Sequence, residues 1–534
     1  MPVNVIIDGK KIEAREGALL IDVCAENGIN IPHFCYHPGL GPDGNCRMCQ
    51  VDFVGPRGNR LGISCKTVVT DGMEVLTQSD AARRARASVE EMLLLNHPLD
   101  CPICDKAGEC TLQNYYMEHD LQNGRQDFTR FKKDKAKDIG PTLVLDQERC
   151  VLCDRCVRFL RDVAGDEQLY IAGRGHEAYI TTFPGQDVTS PYSLNTVDLC
   201  PVGALTSKDF RFHSATWFLK NTNSVCTTCA RGCSMQIQTK KDQVYRMRPR
   251  HNPDVNGYWA CDEGRVNYKF VNQDRIARPF VRRAPDGALY PCSGEEAIAE
   301  MRQLLGFKPA GQIDAPAGRR SVVLLSATCT LEEMFLFQHL AKECLNAPLF
   351  VVRHIPDGVT DRLLRRSDKH PNAKGAEMLG LRVVDLQAGA DAGAIGNALG
   401  TDAVLVAVGF NTHVDAIAPL VASAKKVVAI SACQSPLTER ADLVIPGLTF
   451  AEKDGLVVNF EGHVQQLRPA LEAHGETEWR IADTLISSLL GTARHEFVTQ
   501  VRKAIQDTAP AFAGVNLVKI GPTGVRVSAQ AVGA

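Results

Sequence analysis

Apolar and polar positions alternate over Val3–Ile7 and again over 11–14, on either side of Asp8-Gly9. That dipeptide between two alternating runs predicts a β-hairpin. Residues 18–27 then carry apolar positions at helical spacing, and Gly28 closes the run, so a short helix follows. A second helix ends over 89–95, where Pro98 and Pro102 turn the chain into loop. From about Arg278 the pattern changes and Ala, Gly, Val and Leu dominate. Continuous apolar runs of strand length lie at Ser321–Ser326, 350–353, 382–386, 403–408 and 427–431, with a helical run at 331–345 and further helical stretches between them. Alternating βα units of this kind predict an α/β domain built on a parallel sheet. Residues 496–534 read as a C-terminal tail, extended over 514–534.

Charge and length narrow the function classes. The chain has 534 residues, enough for three or four domains at the usual size, with 60 Lys+Arg against 62 Asp+Glu and a net charge of −2. A near-neutral chain is neither a strongly basic nucleic-acid binder nor a polybasic membrane anchor. The basic stretch 125–137 reads as a solvated face or a subunit contact. The first residues have no basic leader, and Asp8, Lys10 and Lys11 interrupt the apolar run, which argues against a secretion signal. No apolar run reaches membrane-spanning length. The expectation is a soluble, cytosolic chain.

Cysteine changes the picture most. Of 20 cysteines, sixteen lie at or before Cys261, and only Cys292, Cys329, Cys344 and Cys433 follow. In a reducing compartment, closely spaced cysteines point to metal or redox chemistry more than to disulfides. Four candidate ligand sets emerge. The first is Cys35, Cys46, Cys49 and Cys65, carried on the loop that follows the hairpin and helix of a small β-grasp domain. Gly39, Gly41 and Gly44 there let backbone N–H groups approach sulfur. The second is His97, Cys101, Cys104 and Cys110, which counts to four only with the imidazole included. A neutral imidazole in place of a thiolate leaves a bound cluster less negative. The third is Cys150, Cys153 and Cys156, closed by Cys200 before Pro201. It matches the bacterial ferredoxin run up to its third cysteine, and Leu160 stands where a two-cluster ferredoxin carries a fourth. The fourth is Cys226, Cys229, Cys233 and Cys261, with residues 235–248 expected to pair as small strands. Structural zinc, which also takes four thiolates, is the alternative for these sets. Cys24 falls in the apolar phase of the first helix and reads as a core residue.

The α/β half lacks nucleotide fingerprints. Gly389, Gly393 and Gly396 give G-x3-G-x2-G in place of G-x-G-x2-G, and no G-x4-G-K-[ST] run occurs.

These motifs carry a resemblance. The first spacing resembles the [2Fe–2S] domain at the start of the large iron–sulfur subunit of respiratory NADH dehydrogenases. The run H-P-L-D-C-P-I-C-D-K-A-G-E-C resembles a [4Fe–4S] segment with one His and three Cys ligands. That segment is shared by those enzymes, some iron hydrogenases and NAD-linked formate dehydrogenases. The fourth set, and the stretch from Ala441-Asp442 through Glu452-Lys453-Asp454-Gly455 to Asn459 and Glu461-Gly462, resemble molybdopterin oxidoreductases. Catalytic members of that family often carry Lys where Glu263 stands here. Taken in order, the four sets resemble the family of large iron–sulfur (G) subunits of bacterial NADH:quinone oxidoreductase, respiratory complex I.

The resemblance implies α+β iron–sulfur domains: a 2Fe-2S β-grasp at 1–80, a His-ligated 4Fe-4S segment at 81–138, a ferredoxin-like 4Fe-4S domain at 139–220 and a molybdopterin-type 4Fe-4S domain at 221–277. A degenerate molybdopterin-oxidoreductase-like α/β domain at 278–495 and the tail at 496–534 would follow. It further implies one [2Fe–2S] and three [4Fe–4S] clusters, no molybdopterin, and no catalytic residue or complete active site on this chain. In the family, electrons pass from the first cluster to the third and then to the second, and the fourth is thought to lie off that line. The implied partners are a flavin-bearing NADH-oxidising subunit and a downstream iron–sulfur subunit, on the cytoplasmic side of the bacterial inner membrane. Two readings stay beside it: an iron–sulfur subunit of an NAD-linked hydrogenase or formate dehydrogenase, and a zinc-stapled scaffold.

Overall fold

The computed structural model describes residues 2–120, 124–283, 287–307, 320–387 and 389–527. The chain forms two compact units, Met1–Leu219 and Lys220–Ala534.

The first unit opens with the expected hairpin. Val3–Ile7 pairs antiparallel with Lys10–Ala14, and Asp8 and Gly9 both take positive φ (49° and 78°), which this tight two-residue turn requires. Val3–Ile7 also pairs in parallel with Met73–Leu76, which continues to Gln50–Phe53 and Arg60–Ile63. The helix Leu20–Glu26 packs Leu20, Ile21, Val23 and Cys24 onto this five-stranded mixed sheet against Val5, Ile7, Val51 and Val75. This is the β-grasp arrangement. Cys24 is fully buried, and burial pushes its thiol up to about 12, as suits a core residue. The helix Asp80–Leu94 follows, capped by the Ser79 side chain, and ends one residue before Leu95. Beyond it the unit is short helices, a three-stranded sheet (Leu205–Ser207, Leu143–Leu145, Lys137–Asp138) and a two-stranded ribbon, Tyr170–Ala172 with Tyr179–Thr181.

The second unit begins with a three-stranded antiparallel sheet: Lys220–Val225, Ser234–Lys240 and Gln243–Pro249. An eight-stranded sheet follows, six of whose strands run in parallel. In chain order the six are Ser321–Ser326, Leu349–Arg353, Val383–Asp385, Val404–Val408, Lys426–Ser431 and Leu443–Pro446. Their spatial order is third, second, first, fourth, fifth, sixth, the doubly wound arrangement whose order reverses between Ser321–Ser326 and Val404–Val408. Successive residues of each strand enter opposite cores. Val323, Leu325, Val406 and Val408 face one side, while Val322, Leu324, Leu405 and Ala407 face the other. Burial on both faces explains why these strands read as continuous apolar runs. The helix Leu331–His339 starts with a reciprocal Thr330–Glu333 cap and runs on through Leu340–Leu345.

The expected tail is a correction. Val498–Thr508 is a helix that buries Val501 and Ile505, and Arg502 (2% exposed) reaches Glu332 at 2.6 Å and Asp454 at 2.7 Å. Val525–Arg526 pairs with His463–Leu467. Two apolar positions four apart anchor the helix among polar residues, so its pattern is faint in the sequence, and Gly521, Pro522 and Gly524 obscure the strand. Residues 528–534 lie outside the described residues. No helix among the described residues is long and apolar enough to cross a membrane.

Candidate iron–sulfur sites

The first ligand set sits where the long loop before Gln50–Phe53 meets the turn Ser64–Lys66. Ser64 ties the two segments, donating its N–H (3.0 Å) and its hydroxyl (3.1 Å) to the Cys49 carbonyl. Cys35, Cys49 and Cys65 are buried. The sulfurs interact in sequence-ordered pairs, Cys35 with Cys46 and Cys49 with Cys65, joined through a Cys35–Cys65 contact. Those contacts and the backbone N–H groups of Cys46 and Gly44 hold the Cys35 thiol well below its usual range. Gly44 (φ 86°) supplies the left-handed turn that aims its N–H at sulfur. Two pairs of thiolates suit two irons.

The second set spans the end of a helix and two turns. Burial and the nearby Arg149 pull the His97 imidazole down to about 4, so it is neutral at pH 7, the form that ligates a metal. Cys101 is exposed, Cys104 half-buried, and Cys110 caps the helix Thr111–Tyr115. The N–H groups of Leu112 and Gln113 point at Cys110 sulfur, and that of Lys106 points at Cys104. His97, Cys101 and Cys110 line one cavity of about 500 Å³, with Leu95, Leu112 and Tyr116.

The third set is more enclosed. Cys153, Cys156 and Cys200 are buried, and all four sulfurs feel one another electrostatically. Leu152 and Asp154 take left-handed φ (50° and 58°), and the Leu152 N–H lies 3.4 Å from Cys150 Sγ. The stretch after Cys200 also touches the second set. The Pro201 carbonyl accepts from the Thr111 N–H at 2.9 Å, and a Cβ on Gly203 would lie 2.1 Å from Cys104 Sγ.

In the second unit Cys226, Cys229, Cys233 and Cys261 are all buried and mutually coupled. A Cβ on Gly264 would stand 2.9 Å from Cys226 Sγ, and the Gly264 N–H lies 3.4 Å from Cys261 Sγ. Glycine thus forms a wall of both the second and the fourth sites. The loop bearing the first three of these cysteines is held from far along the chain. Asn459 donates to the Arg231 carbonyl (3.3 Å), Gln465 donates to the Gly232 carbonyl (2.6 Å), and Ala230 bonds the Asp368 carbonyl (2.9 Å) and the Phe460 N–H (3.0 Å).

In the third and fourth sets, burial raises the thiol pKa values, because a dry site disfavours an uncompensated thiolate. A bound metal group supplies that compensation, and the N–H groups aimed at sulfur suit iron–sulfur ligation. Among the described residues no three His, Cys, Asp or Glu side chains converge as ligands of one ion would.

Spacing alone did not disclose the cations beside the ligand loops. Arg86, fully buried, donates from Nε (3.1 Å) and a terminal nitrogen (2.7 Å) to the Gln50 carbonyl next to Cys49. Arg149 binds Asp100 at 2.9 Å between His97 and Cys101. Arg158 donates to the carbonyls of Cys35 and Gly41 and pairs with Asp154 at 2.7 Å. The run C-D-R-C-V-R, with arginines three apart, is the signal that could have marked Arg155 and Arg158.

A cavity of about 210 Å³ lies in the second unit where the parallel strand order reverses, lined by Thr328, His354, Gly409, Lys369 and Lys453. Its two lysines are already neutralised: Lys369 pairs with Glu263 at 2.7 Å, and Lys453 with Glu333 and Glu478, both at 2.8 Å. Cofactor sites usually span some 300–1,000 Å³. A small cavity with no spare cation does not fit a phosphate-bearing pterin cofactor.

Family models match the chain in the order of its ligand sets. They are a 2Fe-2S iron-sulfur cluster binding domain (1–80), the NADH-ubiquinone oxidoreductase-G iron-sulfur binding region (86–125), the ferredoxin-like domain of NADH-quinone oxidoreductase subunit 3 (140–206), the molybdopterin oxidoreductase Fe4S4 domain (219–273) and molybdopterin oxidoreductase (372–487). The G subunit of NADH-quinone oxidoreductase from Streptomyces coelicolor is 39% identical over 64% of this chain and 40% of its own length. The NADH-ubiquinone oxidoreductase 75 kDa subunit of Reclinomonas americana is 34% identical over 69% of this chain and 53% of its own. A solved chain of an NAD+-reducing [NiFe]-hydrogenase is 30% identical, with a TM-score of 0.36, over 40% of this chain and 91% of its own. The class these features define is a multi-domain iron–sulfur protein with a molybdopterin-oxidoreductase-type α/β half. Within that class the chain is a homologue of the large iron–sulfur subunit of NADH-quinone oxidoreductase, its G subunit. It spans about half the length of the curated relatives it matches, between 40% and 53%.

Proposed function

We propose that this chain is an electron-transfer subunit in the peripheral arm of an NADH:quinone oxidoreductase. It would hold one [2Fe–2S] cluster on Cys35, Cys46, Cys49 and Cys65. Three [4Fe–4S] clusters would sit on His97, Cys101, Cys104 and Cys110; on Cys150, Cys153, Cys156 and Cys200; and on Cys226, Cys229, Cys233 and Cys261. The observation that carries the reading is the coincidence of each ligand set with its own family-model match, in the same order.

When bound, such clusters supply one-electron carriers and no acid–base chemistry. The chain's residues do three things around them. They present thiolates and one neutral imidazole, turn backbone N–H groups toward sulfur, and exclude water from the third and fourth sites. No nucleophile or general base is required of this chain. The partners in this reading are a flavin-bearing, NADH-oxidising subunit and a downstream iron–sulfur subunit, at the cytoplasmic face of the bacterial inner membrane.

Affinity purification of the tagged full chain from its own cells tests the reading. It expects a flavoprotein, further iron–sulfur subunits and membrane subunits to co-purify with NADH:quinone activity. Co-purification with a hydrogenase or formate dehydrogenase core, without membrane subunits, contradicts it.

A further inference from the structure

Arg155 lies between two ligand sets. It is 9% exposed, and its guanidinium donates to the Tyr36 carbonyl and, at 3.3 Å, to the Leu199 carbonyl. Tyr36 follows Cys35 of the first set, and Leu199 precedes Cys200 of the third. One side chain therefore bonds the backbone beside a ligand of each. It also lies within electrostatic reach of Cys153.

Its charge has no carboxylate partner among the described residues, and its Nε is buried with no hydrogen-bond partner. The neighbouring Arg158 differs, because Asp154 offsets it at 2.7 Å. An isolated buried cation is costly, and folded proteins keep one where an anion or hydrogen bonds compensate it. The groups around Arg155 that become anionic are the cysteine thiolates of the two ligand loops.

We propose that Arg155 is a positioning residue shared by the first and third ligand sets. Its two carbonyl bonds fix the loops relative to each other, and its charge offsets the negative charge both sets carry when metallated. This rests on the electron-transfer reading above. A fixed cation beside a cluster favours the reduced, more negative state, so it raises the midpoint potential.

The test is an EPR-monitored redox titration of the intact complex carrying Arg155→Gln or Arg155→Lys, with iron and sulfide content measured alongside. Arg155→Gln is expected to shift the first and third potentials negative and leave that of the His97 site unchanged. Arg155→Lys, which keeps the charge, is expected to hold both near the native values. Full metal content with neither potential moved in Arg155→Gln overturns the proposal, as does a shift at one site alone. If Arg155→Gln lacks metal in both sets, Arg155→Lys decides. Metallation at near-native potentials supports the charge role, and loss of both sets there too overturns it. Absence of iron and sulfide from the unsubstituted protein would instead defeat the electron-transfer reading itself.

Discussion

The two units solve the same problem, holding thiolates in place, with different supports. In residues 1–219 the ligand loops are braced by one another. Arg158 and Arg155 tie the third set to the carbonyls of Cys35 and Tyr36, and the Pro201 carbonyl accepts from Thr111 beside Cys110. In residues 220–534 a single ligand loop is braced by an α/β domain whose contributing residues, Asn459 and Gln465, lie more than 220 positions away. Short mutual contacts suit a compact series of sites. A long-range brace makes the fourth site depend on the folding of a large sheet. The chemistry-free half is thus a structural wall of the fourth site.

The largest test of that contrast is truncation. A chain ending at Leu219 is expected to keep the spectroscopic signals of the first three sets. A chain ending at Arg278 is expected to add no stable fourth signal, because residues 364–465 are gone. Retention of the fourth signal in the longer truncated chain would show that the brace is dispensable.

A point substitution probes the α/β wall next. Lys453 is buried between Glu333 and Glu478, and Lys453→Met leaves two buried carboxylates without their cation. Breaking a buried pair in this way costs about 3–5 kcal/mol. Chemical denaturation of the second unit should show that loss, and the fourth signal should weaken while the first three persist.

In the first unit the corresponding probe is Gly203→Ala, whose Cβ would meet Cys104 Sγ at 2.1 Å. Overpacking of this kind costs about 1–3 kcal/mol. The His97-set signal is expected to broaden or fall, with the fourth signal unaltered. An unchanged His97-set spectrum would mean that the two ligand loops are less closely packed.

The smallest effect is a pH slope. Burial and the adjacent Glu333 raise the Glu478 carboxyl from 4.5 to about 8, against the opposing pull of Lys453. Between those values the folded unit binds a proton that the unfolded chain does not, so this group's contribution to stability is full below about pH 4.5 and is lost as pH rises through about 8. Glu478→Gln should flatten the decline in denaturation midpoint across that window. A slope identical to the native one would exclude Glu478 as its source.

Much of this was legible in the sequence. The hairpin, the first helix and the parallel strands announce themselves because alternation and continuous apolar runs report one-sided and two-sided burial directly. The four ligand sets follow from spacing. What stayed hidden depends on distance in sequence. Leu443–Pro446 completes the sheet as its sixth parallel strand, yet its four residues carry no periodicity of their own. The helix Val498–Thr508 has two buried apolar anchors, and Arg502 takes a place in its buried face. Arg155, Arg158 and Arg86 look like ordinary charged residues until folding places carbonyls around them. Lys369 answers Glu263 from 106 positions away, which no local pattern shows.

Metal and acid-labile sulfide analysis of the purified full chain, read with its EPR spectrum after reduction, tests the central claim most directly. The account predicts iron and sulfide in equal amounts and signals of one [2Fe–2S] and three [4Fe–4S] centres. Zinc at the same ligand sets without sulfide would contradict it.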